Sequence, residues 1–474
     1  MDSPTEKVPL PGRMLLLGFG ALGQGVLPLL FRHLDLRPTQ VVACAPDPSG
    51  RALAVEYGIG FEVAALTRDN YGDFLSARLA PGDFLVNLSV DVSSVALIAF
   101  CQQHGVLYID TCIEPWADAY VDAARSVAER SNYALREAAL ALNANSGQRR
   151  GPTAVLTHGA NPGLVSHLVK QALMDIARDH EIKVAPPESR GDWAALARRL
   201  GIQAIHIAER DTQQAEPRRV TGEFVNTWSV DGFAGEGRQP SELGWGSHER
   251  HFPADAHRHT GGCGAAIYLE RPGFATQLRS WTPSHGAMHA FLVTHGESIS
   301  IADYLTIGPP ESPQYRPTVC YAYHPCDDAL LSIQELAGRN WVMPTRKRVV
   351  KDEIVSGFDE LGVLLMGHGS GAYWYGSRLG IDEVRRLCPH NSATTLQVAV
   401  SVVAAIAWAL RNPAQGIVDP EALPYDFVLA FARPYLGEML GVYSQWTPLQ
   451  GRGLLFPEDT DTRDSWQFKN FRVA

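Results

Sequence analysis

Met14-Leu15-Leu16-Leu17-Gly18-Phe19-Gly20-Ala21-Leu22-Gly23 is a short apolar run that opens directly into G-x-G-x-x-G, and Gly25-Val26-Leu27 continues it as a helix. Strand, glycine loop and helix in this order form a dinucleotide-binding unit. Gly18 permits the tight turn, Gly20 admits a pyrophosphate that a Cβ would block, and Gly23 lets the helix pack closely on the strand. Phe19, Ala21 and Leu22 fill the loop, and the free N–H groups at the helix start serve the phosphates. A second apolar run, Gln40 to Ala45, leads to Asp47. That acid lies about 24 residues beyond Gly23, near the ~20 expected of the group that binds a ribose diol. It favours NAD over NADP, while Arg51 keeps a 2'-phosphate open as the alternative.

Helix and strand then alternate. A helix is expected over 49–57, a strand over 60–63, a helix over 70–80 and a strand over 83–88, with a further helix over 95–104 and strand over 106–110. A helix over 132–143 and a strand over 153–157 complete the series, which predicts a parallel Rossmann-type sheet. The polar stretch 143–152 is a loop, and Asn161-Pro162-Gly163 predicts an N-cap with proline in the first turn of a helix running to about Ala177. Beyond the break at Ala185-Pro186-Pro187, short strand-like runs at 204–208, 224–230, 265–269 and 290–293 predict a mixed or antiparallel second sheet. The fold class is therefore α/β, a Rossmann-type parallel-sheet domain with a second α+β substrate domain. The expected division is 1–160, 161–335 and a C-terminal α/β segment, 336–474, packing on the other two.

Composition narrows the function. Hydrophobic residues make 45% and charged residues 19% of the 474, and no apolar run approaching the ~20 residues of a bilayer span is evident. Met1 to Lys7 lacks the pattern of a signal peptide, so a cytoplasmic protein without a membrane partner is expected. A formal charge of −10 argues against nucleic acid and is compatible with a cationic substrate. The seven cysteines show no C-x-x-C pair and fit a reducing compartment. The histidines at 248, 251, 257 and 259 match no metal-binding spacing, so no metal is expected.

Chemistry in a parallel sheet sits beyond the carboxyl ends of its strands. Three such ends are polar: Asn87-Leu88-Ser89-Val90-Asp91, Asp110-Thr111-Cys112-Ile113-Glu114 and His158-Gly159-Ala160-Asn161. Asp91, Glu114 and Asn161 are candidates to face a substrate, with helix capping as the competing role. The second domain adds Glu209 and Glu236, and Trp228 in a strand-like run where a core position is the alternative. Carboxylates beside an aromatic suit an amine, since an ammonium out of water gains ~2 kcal/mol or more over a ring face. An alkylamine is protonated below pH ~10.4, however, and must lose that proton before it can react. His295, at the end of an apolar strand, is the expected base.

At these residues the chain resembles the bacterial homospermidine synthases of the saccharopine-dehydrogenase-like group. The likeness runs nearly end to end, through G-F-G-A-L-G-Q-G at 18–25, V-N-L-S-V-D at 86–91, Y-I-D-T-C-I-E-P-W at 108–116, G-A-N-P-G at 159–163, H-I-A-E-R-D-T-Q at 206–213, V-N-T-W-S-V at 225–230 and D-E-L-G-V-L-L at 359–365. The resemblance implies that two putrescines are joined into homospermidine with release of ammonia, through an imine, with one tightly held NAD recycled internally. It implies that Trp228 holds an ammonium or iminium, and that Asp91, Glu114, Asn161, Glu209 and Glu236 bind or orient amines. Asp359 would hold a distal ammonium, and His295 would move protons. By position, Gly18 to Gly23, Asp47, Asn87, Ser89, Asp110 and Thr111 would hold the cofactor, and the enzyme would be a homodimer. Small departures, His158 and Gly296, flank these positions. Three alternatives stay open: another NAD(P)-linked amine oxidoreductase of the saccharopine dehydrogenase or carboxynorspermidine type, aminobutyl transfer through a Schiff base on Lys170, and a dinucleotide-sensing protein without catalysis.

Overall fold

The computed structural model describes residues 7–120, 122, 124–144 and 151–473; most of the loop expected over 143–152 and of the N-terminal stretch 1–7 lies outside them. A seven-stranded sheet, parallel throughout, runs 60–63, 41–45, 14–17, 84–87, 107–110, 154–155 and 417–418 from edge to edge. Strand order reverses between Met14–Leu17 and Phe84–Asn87, which opens the crevice where a dinucleotide lies in this topology. All eight residues of these two strands are buried, as a sheet covered on both faces requires.

The second sheet has ten strands and is mixed. Its spine places Thr318–His324 parallel to Ala204–Asp211, with Phe358–Met366, Ala372–Gly380 and Glu438–Ser444 beyond in antiparallel succession. The last third of the chain therefore supplies three strands to this sheet and the short edge strand Ile417–Val418 to the first. Register decides which side chains meet: Glu209 pairs with Tyr323, and Asp211 pairs with Asp359. Strand side chains alternate faces, so Glu209, Asp211, Tyr321, Tyr323 and Asp359 share one face.

Between the sheets lies the helix Ala393–Arg411, capped by Ser392, whose Oγ accepts from the Thr395 N–H. It packs on the glycine-loop helix Ala21–His33. Asn391 donates to the Gly25 carbonyl at 3.2 Å, where a side chain at Gly25 would collide with it. By length and mean hydropathy (1.8) this helix qualifies as a bilayer span, contrary to the sequence expectation. Here 83% of that window is buried in the fold, because the helix is apolar around its whole circumference and walled in by both sheets.

Two local expectations are corrected. The helix after Asn161-Pro162 begins at Leu164 with Gly163 as its N-cap, because the Asn161 side chain is taken by Glu209 instead. The run at 224–230 is a strand only over Glu223–Asn226; Trp228 stands in the turn before the helix Val230–Arg238. A β-rich composition gave that run its strand-like look, but Ser229 caps the helix through the Gly232 N–H and ends the extended segment early.

Candidate active site

The glycine loop has the shape a pyrophosphate needs. Gly18 adopts φ +84°, and a Cβ there would lie 2.4 Å from the Leu88 carbonyl oxygen; one on Gly23 would lie 2.4 Å from that of Gly18. A Cβ on Gly20 would meet nothing within 4 Å, so it would occupy the very space left open above the loop. Phe19 points the other way, buried edge-on against Phe61. Asp47 stands exposed beyond Val41–Ala45, its carboxylate accepting from the Ser49 N–H at 2.9 Å and held below its usual range by the Ser49 hydroxyl and N–H. Arg51 lies over the Phe61 ring at 5.4 Å. The open space above the glycine loop fits a dinucleotide, and Asp47 stands free of any basic partner among the described residues.

Asn87 and Asp110 are committed to the sheet. Ser89 donates to Asn87, Asn87 donates to the Tyr108 hydroxyl at 3.2 Å, and that hydroxyl donates to Asp110 at 2.7 Å. The other Asp110 oxygen accepts from the Thr157 N–H at 2.6 Å. The chain of bonds ties three strand ends together, leaving Ser89 and Thr111 half-buried at the crevice.

Across the crevice, acids from both halves of the molecule converge. Glu209 accepts from Asn161 at 2.8 Å and from the Tyr321 hydroxyl at 2.7 Å. Burial pushes its carboxyl up to about 7, against the pull of those two donors. Asp359, fully buried, is raised well above the usual carboxylate range by burial and by the charges of Glu209 and Asp211. One Asp359 oxygen accepts from Thr394; among the described residues the other has no hydrogen-bond partner, and neither has the buried Tyr323 hydroxyl. Among the described residues no lysine or arginine is hydrogen-bonded to the carboxyl groups of Glu209, Asp211 or Asp359, although Arg210 donates to the Asp211 backbone carbonyl.

A second cluster adjoins the first through Tyr321, whose ring lies 4.4 Å from that of His295. His295 Nε2 is 2.9 Å from Glu236 and Nδ1 is 3.3 Å from Glu297. Burial alone would lower the imidazole, but the carboxylates of Glu236 and Glu297 lift it to about 10. His295 is thus an imidazolium at neutral pH, which corrects the expectation that it is the base. The Cys112 thiol reaches the other Glu236 oxygen at 3.8 Å. Glu114, buried beside it, is pushed up to about 8 by burial and then by the charges of Glu236 and Asp91. Asp91 is exposed at the mouth, in the left-handed region at φ 63°.

Trp228 is half-buried, its ring 5.3 Å from Phe233, which in turn lies 5.6 Å from Tyr323. It stands just before the helix that carries Glu236 and just after Thr227, which donates to Asp211 at 2.8 Å. Contacts therefore link these groups: Asn161 and Glu209 reach His295 and Glu236 through Tyr321, Glu114 and Asp359 feel the charges of Glu236 and Glu209, and Trp228 joins through the Phe233 and Tyr323 rings.

Lys170 belongs elsewhere. Its ammonium donates to the Glu421 carbonyl at 2.6 Å and lies over Tyr304 and Trp193, removed from the acids, because a helix that starts at the Asn161 loop turns this residue to its far face. The four histidines of 248–259 go to four separate partners: the Trp466 carbonyl, Asp461, Glu270 and Glu242. Glu242 receives the N–H groups of Asn132 and Tyr133 and so caps a helix. Sequence reasoning missed Tyr321, Tyr323, Asp211 and Glu297. The Y-A-Y alternation marks a strand but not the face it turns to the acids, and Glu297, two residues past His295, reads as an ordinary first-turn acid.

Comparison with known proteins agrees with this geometry. The family model described as "Saccharopine dehydrogenase NADP binding domain" matches residues 14–155, and "Saccharopine dehydrogenase C-terminal domain" matches 159–442. The homospermidine synthase of Blastochloris viridis is 50% identical over 468 residues, 98% of each chain. That of Mesorhizobium japonicum is 46% identical, covering 98% of this chain and 97% of its own. The crystal structure of the Legionella pneumophila homospermidine synthase in complex with NAD superposes with a TM-score of 0.91 at 46% identity, covering 99% of both chains. With a matched glycine loop, a matched C-terminal domain and full-length relatives of one kind, this chain belongs to the homospermidine synthase family within the saccharopine dehydrogenase group.

Proposed function

We propose that this protein is an NAD-dependent homospermidine synthase, coupling two putrescines with release of ammonia. The observation that carries the reading is the set of three buried acids, Glu209, Asp211 and Asp359, whose carboxyl groups accept no hydrogen bond from a lysine or arginine among the described residues, beside an Asp359 oxygen and a Tyr323 hydroxyl without a hydrogen-bond partner among those residues. Uncompensated acids of this kind are matched by a cation that arrives with the substrate. A substrate bearing carboxylates, as in saccharopine chemistry, would be repelled.

NAD bound at the glycine loop supplies a hydride acceptor and, once coupling is complete, a hydride donor. Asp359 receives the distal ammonium of the first diamine, and Tyr323 adds its hydroxyl. Glu209 takes the proton of the proximal ammonium, since only the neutral amine can be oxidised, while Asn161 orients the nitrogen. The imine carbon then lies beside Trp228, whose ring favours the iminium. A second diamine enters past Asp91, and Glu114 and Glu236 bind its ammonium and relieve it of a proton. Its neutral nitrogen adds to the imine carbon. His295, at Nε2 against Glu236, returns a proton to the departing nitrogen, which leaves as ammonia, and a secondary imine remains. Burial of Glu114, Glu209, Glu236, His295, Tyr323 and Asp359 keeps water from hydrolysing either imine.

Within this reading the enzyme works in the cytoplasm as a homodimer. Seven free cysteines support a reducing compartment. Leu454, Leu455 and Phe456, exposed at 84%, 85% and 77%, form the kind of protruding apolar tip that a second copy covers.

Turnover of 1,1,4,4-tetradeuterated putrescine with catalytic NAD tests the proposal. The expected product is homospermidine with eight deuterium atoms, formed with one ammonia and no accumulation of NADH absorbance. A stoichiometric rise of NADH would point instead to a simple amine dehydrogenase, and absence of homospermidine would overturn the reading.

A further inference from the structure

Behind the acids runs a buried chain of hydrogen bonds that ends at Asp359 and whose linking residues, Thr227, Gln213 and Thr394, are given no substrate contact in the proposed reaction. The Thr227 hydroxyl donates to one Asp211 oxygen at 2.8 Å. The other Asp211 oxygen accepts from the Gln213 backbone N–H at 2.8 Å and from its side-chain amide at 3.1 Å. The same amide donates to the Thr394 hydroxyl at 3.2 Å, and Thr394 donates to Asp359. The Gln213 side-chain Oε1 accepts from the Ala393 N–H at 2.8 Å, which pins the chain to the start of the long interior helix. Ser392, that helix's cap, closes the circuit by donating to the Thr227 carbonyl at 2.9 Å. Thr227, Asp211, Gln213, Thr394 and Asp359 are each at most 5% exposed.

The two ends of this chain are informative. One is Asp359, assigned to the distal ammonium; the other is the residue before Trp228, assigned to the reacting end. Directional bonds between fully buried groups have little freedom to stretch, so they hold their ends at one separation. We propose that Thr227, Asp211, Gln213 and Thr394 act as a positioning brace that sets the distance between Trp228 and Asp359, and thereby selects a four-carbon diamine over shorter and longer ones. The inference rests on the placement of Trp228 and Asp359 in the proposed function.

The brace is tested by comparing kcat/KM for propane-1,3-diamine, butane-1,4-diamine and pentane-1,5-diamine in the NAD-loaded full chain. Thr227→Val and Thr394→Val each remove one hydroxyl at nearly constant volume. Loss of a hydrogen bond that leaves a buried acceptor unsatisfied corresponds to roughly tenfold. The expected result is a fall of about tenfold for the four-carbon diamine with less than ~3-fold change for the five-carbon one, so that the preference collapses. Thr227→Ser and Thr394→Ser, which keep the hydroxyl, are expected to restore it. The double Val variant is expected to be no worse than the poorer single one, because both cut the same chain. Gln213→Met breaks the chain at its middle and is judged by the same ratio if a Val variant does not bind NAD. A proportional fall for all three diamines, an unchanged ratio, or multiplicative single effects would overturn the brace. Trp228→Ala and Asp359→Asn serve as controls on the site itself. Trp228→Ala is expected to lose at least ~30-fold in kcat/KM, with Trp228→Phe retaining part. If either control matches the wild type, the site reading fails rather than the brace.

Discussion

Glu209→Gln is expected to lower kcat for putrescine by about 10²- to 10⁴-fold, the usual contribution of a general base, with NAD binding unchanged. The substitution is conservative in shape. The Glu209 oxygen that accepts from both Asn161 and Tyr321 can be replaced by the glutamine carbonyl, so the surroundings keep their bonds and only the proton-accepting charge is lost. The pH profile carries the sign. Glu209 is raised to about 7, so it is ionised, and able to accept a proton, only above that value. Wild-type turnover should therefore decline as pH falls through about 7, and the residual activity of the variant should lack that limb. A variant within ~3-fold of wild type would move the base elsewhere, with Glu114 the next candidate because it too is buried and raised.

His295→Gln should damage stability as much as activity. The imidazolium sits between Glu236 and Glu297, and all three are buried. Removing the cation leaves two like charges without compensation, a change that costs about 3–5 kcal/mol when a buried pair is broken. The folded-state value of about 10 lies above the ordinary 6.5, so this stabilisation is fully present below pH 6.5 and lost as pH rises to about 10. Denaturation monitored across that window should show a decline in the wild type that the variant lacks. Turnover should fall as well, since ammonia departure loses its proton donor. Equal stability of the two proteins at pH 6 would show that His295 does not balance these acids.

Much of the fold was legible in one dimension because local physics dictates it. The apolar run 14–17, the glycines at 18, 20 and 23 and the acid at 47 form a unit whose geometry depends on neighbours in sequence, and alternating periodicity dictates the strands and helices after it. The interior helix, long and apolar enough to cross a bilayer, was not read as such from composition, and hydropathy does not say whether lipid or protein surrounds it. Trp228 was legible as a candidate site residue in a strand-like run but not as a turn residue, because strand propensity yields to the Ser229 cap. Asn161 shows the same competition: a sequence that spells a cap was overruled by a carboxylate 48 positions away.

What the sequence by itself determined, then, is the dinucleotide unit, the presence of acids and an aromatic suited to an amine, and membership of a family. Only the tertiary structure decided their roles. Pairing Asp211 with Asp359 and Glu209 with Tyr323 is a matter of strand register between segments far apart in the chain, and register puts the acids on one buried face. That crowding, together with exclusion of water, raises Glu209 and Asp359, while two carboxylates around one imidazole make His295 a cation rather than a base. Protonation state depends on the charges and solvent around a group, and these belong to the folded arrangement, not to the order of residues.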